Sequence, residues 1–160
     1  YSMKKGFKSS HIISCFYYLE FALKIKSNIE KFEAYSQLKV EISEFLNSTT
    51  IIESELKLFD RLLVDDIYNL QENDIKSSGY VIDTLEASIW SILTTNSFRE
   101  AVLKAINLGK DTDTTGAVTG GLAGMIYSYN DIPINWLDKL ARNKDIEKLA
   151  NKLEIKYASH

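Results

Sequence analysis

The stretch SGYVIDTLEASIWSILTTNSFREAVLKAINLGKDTDTTGAVTGGLAGMIYS, residues 78–128, decides the fold. Val81, Leu85, Ile89 and Ile92 recur at helical spacing and place one apolar side on a helix that follows Gly79. Ser97 with Glu100 forms a capping box, in which each side chain satisfies a free backbone N–H at a helix start. The helix it opens carries Ala101, Val102, Ala105 and Ile106, and Gly109 suits the left-handed position that closes it. A third helix is expected over 114–127. No segment shows the sustained two-residue alternation of a strand, so the reading is all-α.

The flanks read the same way. Ile12, Cys15, Phe16, Leu19, Ala22 and Leu23 mark an apolar stripe on a helix over 11–26. A second helix is expected over 29–46 with Leu38, Ile42, Phe45 and Leu46 inward. Thr50 with Glu53 is another capping box, opening a helix with Ile52, Leu56, Phe59 and Leu63 inward. Residues 69–79 read as a polar connection. After the break at SYNDIP, which holds the single proline Pro133, a short segment around Trp136 and a last helix over 144–156 complete the chain.

The chain has 160 residues, 45% of them hydrophobic and 26% charged, which suits one helical domain over 1–160. The net charge of −3 argues against electrostatic capture of nucleic acid, so no nucleic-acid partner is expected. The most apolar early stretch, HIISCFYYLEFALKI, is short and broken by Glu20, and no membrane association is expected. One cysteine, Cys15, allows no internal disulfide and fits a reducing, cytoplasmic location. Its place in an apolar helical pattern reads as a buried, inert thiol.

Residues 109–124 hold five of the seven glycines beside Asp111 and Asp113. The carboxylates admit two readings. Helix N-termini favour acids, so simple capping accounts for them. Alternatively, two acids one residue apart and followed by Thr114 offer hard oxygens to a divalent cation. An EF-hand fails, because its twelfth position is Leu122 where a glutamate is required. Gly116, Gly120 and Gly124 line one helix face, where a neighbouring helix backbone is expected to approach closely. Asp65 and Asp66 read as solvated helix-end charges, and His11 as a structural histidine, with a metal ligand or a phosphate contact as the alternative. His160 is terminal. There is no His/Cys cluster for zinc, no Walker motif and no G-x-S-x-G.

The 78–128 run resembles the C-terminal core of the ADP-ribosylglycohydrolases, which include the dinitrogenase reductase-activating glycohydrolases. The resemblance rests on Ser-Gly-Tyr-Val, Thr-Leu-Glu-Ala, Ser-Phe-x-Glu-Ala-Val, Leu-Gly-x-Asp-x-Asp-Thr and the glycine-spaced helix, in that order. IPINWLDKL (132–140) and Ser10-His11 add weaker likeness. The resemblance implies an all-α orthogonal helical bundle, of which this chain is the C-terminal part. It implies a binuclear Mg²⁺ or Mn²⁺ centre to which Asp111, Asp113 and Thr114 contribute ligands. It implies hydrolysis of the bond joining ADP-ribose to a modified side chain or a related conjugate, with His11, Gly79 and Tyr80 near the ADP-ribose. It assigns no residue as general base.

Three departures stand out. Lys110 occupies a position where the family often has a small residue, and Ser128 replaces a common glycine. The family's N-terminal half brings a Thr-Asp-Asp ligand segment and an early acidic motif, neither of which occurs here; Asp65-Asp66 lacks the preceding threonine. The expectation is a C-terminal half of a longer chain, with its activity incomplete alone. It would associate with the missing half or with itself through exposed apolar surface. The alternative is a non-catalytic helical module that binds ADP-ribose or a protein partner.

Overall fold

The computed structural model describes residues 9–49 and 53–157, and all regular structure among them is helical. The α-helices are α1 (Ser9–Lys26), α2 (Lys31–Asn47), α3 (Glu53–Leu56), α4 (Asp60–Leu63), α5 (Val81–Leu93), α6 (Phe98–Asn107), α7 (Thr112–Tyr127), α8 (Ile134–Leu137) and α9 (Asn143–Tyr157). The 53–80 region is broken into short helical pieces and 3-10 turns instead of one helix after residue 50. The capping box proposed for Thr50 and the inward Ile52 lie outside the described residues.

Helix α5 is the axis of the bundle. Every residue from Thr84 to Leu93 is buried, as is Ile82. A helix apolar nearly all round must be surrounded by others. Here α1, α6 and α7 pack around it, and α7 lies along both α5 and α6. The core fills with Tyr17 and Phe21 of α1, Leu38 and Ile42 of α2, Phe59 and Leu62, Ile89 and Ile92 of α5, and Leu122 of α7.

Local signals explain the ends of α6. Ser97 caps it by accepting from the Glu100 N–H at 3.2 Å. Glu100 reaches back one residue further than the motif implies, accepting from the Asn96 N–H at 3.0 Å. Gly109 closes the helix at φ +79°, as its position suggested. Beyond it the chain holds a second left-handed residue, Lys110, at φ +56°. At the opposite end of the bundle, Lys31 Nζ donates to Ile92 O at 3.2 Å, to Thr95 O, and to the Tyr127 hydroxyl at 3.3 Å. Burial lowers the Lys31 pKa from the usual lysine range.

The face of α1 corrects the periodicity reading. The buried residues are Ile13, Tyr17, Phe21, Ala22 and Ile25, with Ser10 and Ser14 among them. Of the expected stripe only Ala22 is buried; Ile12, Leu19 and Leu23 are about half exposed, and Cys15 is exposed instead of buried. The helix is apolar on two sides, so spacing alone does not choose between them. The larger rings of Tyr17 and Phe21 fill the core, and the aliphatic side faces out. In α2, Leu38, Ile42 and Leu46 are inward while Phe45 is exposed and stacks on Phe16 at 5.0 Å between ring centroids.

The glycine face of α7 is tight at one point only. A Cβ on Gly116 would lie 2.8 Å from Ile106 Cγ2, one on Gly120 would meet Val102 at an ordinary 3.9 Å, and one on Gly124 would meet nothing within 4 Å. The close neighbour is therefore the side-chain surface of α6 and not a helix backbone along the full stripe. Gly116→Ala is expected to lose about 1–2 kcal/mol, because overpacking against a short branched side chain outweighs the propensity gain. Gly124→Ala is expected to gain up to about 1 kcal/mol. Urea denaturation of the two variants, with shifts of opposite sign, checks this.

One buried acid sets a pH dependence. Glu86 on α5 is 3% exposed and pairs with Arg61 at 3.2 Å. Burial pushes its carboxyl up to about 7; the nearby Asp83 adds to this, while Arg61 and Lys76 oppose it. A carboxyl whose folded pKa is raised favours folding when protonated. Its contribution is complete below about pH 4.5 and falls as pH climbs through about 7. Glu86→Gln should remove that decline and leave the variant more stable than the parent at pH 8, by up to about 3 kcal/mol. Unfolding midpoints measured from pH 5 to 8 test the convergence at low pH and the divergence at high pH.

Candidate functional site

The loop 108–111 and the segment 77–80 meet at one end of the bundle. Asp111 takes the N-cap position of α7, yet its side chain makes no capping hydrogen bond. The capping account therefore does not explain Asp111. Its main chain does the local work: Thr115 N donates to Asp111 O at 3.1 Å, and Asp111 N donates to Ser77 O at 3.1 Å. The carboxylate is left to face Gly79. A Cβ at Gly79 would come 3.0 Å from Asp111 Oδ2, so the missing side chain makes room for the acid.

Asp113 lies in the first turn of α7 and is exposed. A hydrogen bond with the Asp111 carboxyl, aided by the main-chain N–H groups of Thr114 and Asp113, holds its pKa below the usual carboxylate value. Two carboxyls this close repel when both are ionised, unless a proton or a cation sits between them. Hard oxygens from two acids and the Thr114 hydroxyl are the donors Mg²⁺ or Mn²⁺ favours. Among the described residues no group of three or more His, Cys, Asp or Glu side chains gathers to hold a metal. The donors present thus fit such an ion in kind, as a part of the set it would need.

Beside these acids opens an apolar cavity of about 550 Å³. Helix α1 contributes His11, Ser14, Cys15, Tyr18 and Leu19; the loop contributes Gly79 and Tyr80; α5 and α7 close it with Val81, Thr84, Leu85, Thr114 and Val118. His11, Gly79, Tyr80 and Thr114 therefore share one concavity, with Asp111 against its Gly79 edge. Ser14 is 4% exposed, and its hydroxyl has no hydrogen-bond partner. Tyr18 spans the back wall, its hydroxyl 3.5 Å from Val118 O. Asp65 and Asp66 lie elsewhere: both are exposed, and Asp66 pairs with Lys39 at 2.8 Å.

Sequence reasoning passed over Ser77 and Asp83, and met Ser78 only as the serine of the Ser-Gly-Tyr-Val run, with no role assigned. The Ser77 hydroxyl donates toward Gly109 O at 2.9 Å and Leu108 O at 3.2 Å. Ser78 Oγ donates to Asp83 Oδ2 at 2.5 Å, and Thr84 Oγ1 donates to Ser78 O at 3.3 Å. The only trace in the sequence is a Ser-Ser pair before a glycine, which reads as an ordinary loop.

Comparison with known proteins adds the following. Residues 14–160 match the family model described as ADP-ribosylglycohydrolase. Over 83 residues the chain is 49% identical to the ADP-ribosylarginine hydrolase Tri1 of Serratia proteamaculans, covering 52% of this chain and 23% of that protein. Over 65 residues it is 42% identical to the ADP-ribosyl-[dinitrogen reductase] glycohydrolase of Rhodospirillum rubrum, covering 41% and 22%. Over 146 residues it is 23% identical to the mouse ADP-ribosylhydrolase ARH3, covering 83% and 40%. The aligned region thus spans under a quarter of the first two relatives' length and two fifths of the third's.

Proposed function

We propose, because this chain belongs to the ADP-ribosylglycohydrolase family, that it contributes to metal-dependent hydrolysis of an ADP-ribosyl bond. The substrate class is an ADP-ribosylated protein or a related ADP-ribose conjugate. The observation that carries the reading is the uncapped Asp111 carboxylate, in hydrogen-bonding reach of Asp113, at the edge of the cavity lined by His11, Gly79, Tyr80 and Thr114.

Asp111, Asp113 and Thr114 would hold Mg²⁺ or Mn²⁺. When bound, the ions supply orientation of the ribose hydroxyls, acidification of a water and neutralisation of developing charge. The two acids serve as holders, and neither is assigned as general base. Tyr80 and His11 face the cavity from opposite elements and suit a sugar-phosphate ligand, one with a ring and hydroxyl, the other with a cationic or hydrogen-bonding edge. Gly79 serves less as a ligand contact than as the gap into which the Asp111 carboxylate fits. The apolar walls suit the flat face of a bound ring, and the polar groups gather at one edge. A cytoplasmic setting is part of the proposal; among the described residues no helix is long and apolar enough to cross a membrane.

The test is release of ADP-ribose from ADP-ribosylarginine in the presence of Mn²⁺. The chain is assayed alone and mixed with the portion of the Serratia relative that it does not cover. Little release is expected from the chain alone, more from the mixture, and none when the mixture carries Asp113→Ala. No release from any conjugate in the mixture would sink the proposal. A second reading, a non-catalytic module binding ADP-ribose or a protein partner, draws on the lack of a third metal-ligating side chain among the described residues. It predicts that calorimetric binding of ADP-ribose, if present, is the same with and without Mg²⁺ and unchanged by Asp113→Ala.

A further inference from the structure

The geometry points to Ser77 as the residue that positions the Asp111 carboxylate. The inference rests on the metal-holding role proposed above for Asp111. Ser77 is 2% exposed and lies in the loop before α5, 34 residues upstream of the acid. It grips the 108–111 turn from both sides. Its hydroxyl donates toward the carbonyls that enter the turn, Gly109 O at 2.9 Å and Leu108 O at 3.2 Å. Its own carbonyl accepts the amide that leaves the turn, Asp111 N at 3.1 Å.

The turn has need of such a hold. Gly109 at φ +79° and Lys110 at φ +56° are consecutive left-handed residues. Glycine adopts that conformation freely, whereas lysine does so only where surrounding contacts insist. The direction in which Asp111 leaves the turn follows from those two residues, because its side chain makes no capping hydrogen bond to the main chain of the helix it begins. Ser77 therefore fixes the backbone from which the carboxylate projects. Gly79, two residues on, fixes the space it projects into.

The grip is itself anchored. Ser78 Oγ donates to Asp83 Oδ2 at 2.5 Å and its carbonyl accepts from Thr84 Oγ1 at 3.3 Å, so the segment is fastened to the first turn of α5. The central helix is thus bonded to Ser78, and its chain neighbour Ser77 is bonded to the turn that carries the candidate ligand. Asp111 inherits its position from the most buried element of the fold. This is the relation in which an outer partner orients a metal ligand and tunes its affinity.

Ser77 is a positioning residue in this scheme and touches no ligand. The test compares the parent chain with Ser77→Ala, Ser77→Thr and Asp111→Ala. Mn²⁺ binding is read by electron paramagnetic resonance, and amide hydrogen exchange by NMR. Ser77→Ala is expected to weaken Mn²⁺ binding about tenfold and Ser77→Thr, which keeps the hydroxyl, to restore most of it. Exchange at the Asp111 amide should accelerate in Ser77→Ala alone, with the interior amides of α6 unchanged. Loss of binding in Asp111→Ala but not in Ser77→Ala would overturn the positioning role and leave the metal reading standing. Unchanged binding in Asp111→Ala, or no binding by the parent, would overturn the metal reading. Local exchange then decides whether Ser77 holds the turn, and equal exchange in parent and Ser77→Ala would overturn it. If Ser77→Ala does not fold, Ser77→Cys, of similar size and a weaker donor, takes its place under the same criteria.

Discussion

Trp90→Ala is expected to cost about 3–5 kcal/mol, a large share of the stability of a domain this size. The indole sits in the middle of α5 and is 3% exposed. Its Nε1 donates to Leu70 O at 3.1 Å, fastening the irregular 64–80 connection to the central helix. Lys104 Nζ lies 4.0 Å from the ring centroid, adding a cation–π contact from α6. Truncation therefore opens a cavity, orphans a carbonyl and frees a lysine at once. Trp90→Phe refills most of the space and leaves the carbonyl unpartnered, a loss of about 1–3 kcal/mol. The unfolding midpoint of Trp90→Ala should fall by roughly 6–20 °C. A fall of only a degree or two in circular dichroism melts would show that α5 is not the axis described here.

The second large effect concerns the acids. Asp111→Asn and Asp113→Asn should each weaken Mn²⁺ binding by at least about thirtyfold, on the order of 2 kcal/mol, because each removes a full charge from beside a divalent ion. Both substitutions keep the size of the side chain. Because the Asp111 carboxyl caps nothing and Asp113 is exposed, folding should be little changed. Asp113→Asn also removes the repulsion between the two carboxyls, so melting without metal should stay equal or rise slightly. If both asparagine variants bind Mn²⁺ like the parent in calorimetry, the pair is not a cation site. If both instead unfold more readily, the acids serve the helix start and not an ion.

The two outcomes at α1 and α5–α7 show what a sequence can carry. Helices α5, α6 and α7 were legible because apolar or small residues recur at helical spacing in each, between starts and stops such as Ser97 and Gly109, although α5 is buried nearly all round. Helix α1 has apolar residues on two sides, and choosing between them needs the shape of the space that Tyr17 and Phe21 fill. That choice also decided Cys15, which moved from an expected core position to the rim of a cavity. The broken helices of 53–75 were illegible for a related reason: their course follows contacts with Tyr35, Trp90 and Glu86, all distant in sequence. At the candidate site the clustered acids were visible because they are neighbours in the chain. Ser77 was not, since a hydroxyl meeting carbonyls 31 and 32 residues away leaves no periodic mark. The glycine stripe of α7 suggested uniform close packing; the tight point is confined to Gly116, where Ile106 comes closest.

Lys31 stands at the C-terminal end of α5, its nitrogen shared among Ile92 O, Thr95 O and the Tyr127 hydroxyl. One ammonium thus collects helix ends that the Tyr127 hydroxyl also ties, by donating to Thr95 O at 2.8 Å. An acetyl group on that nitrogen would remove its charge and leave a single N–H for three acceptors. Acylation of this nitrogen should therefore loosen the end of the bundle at which α5 and α7 finish.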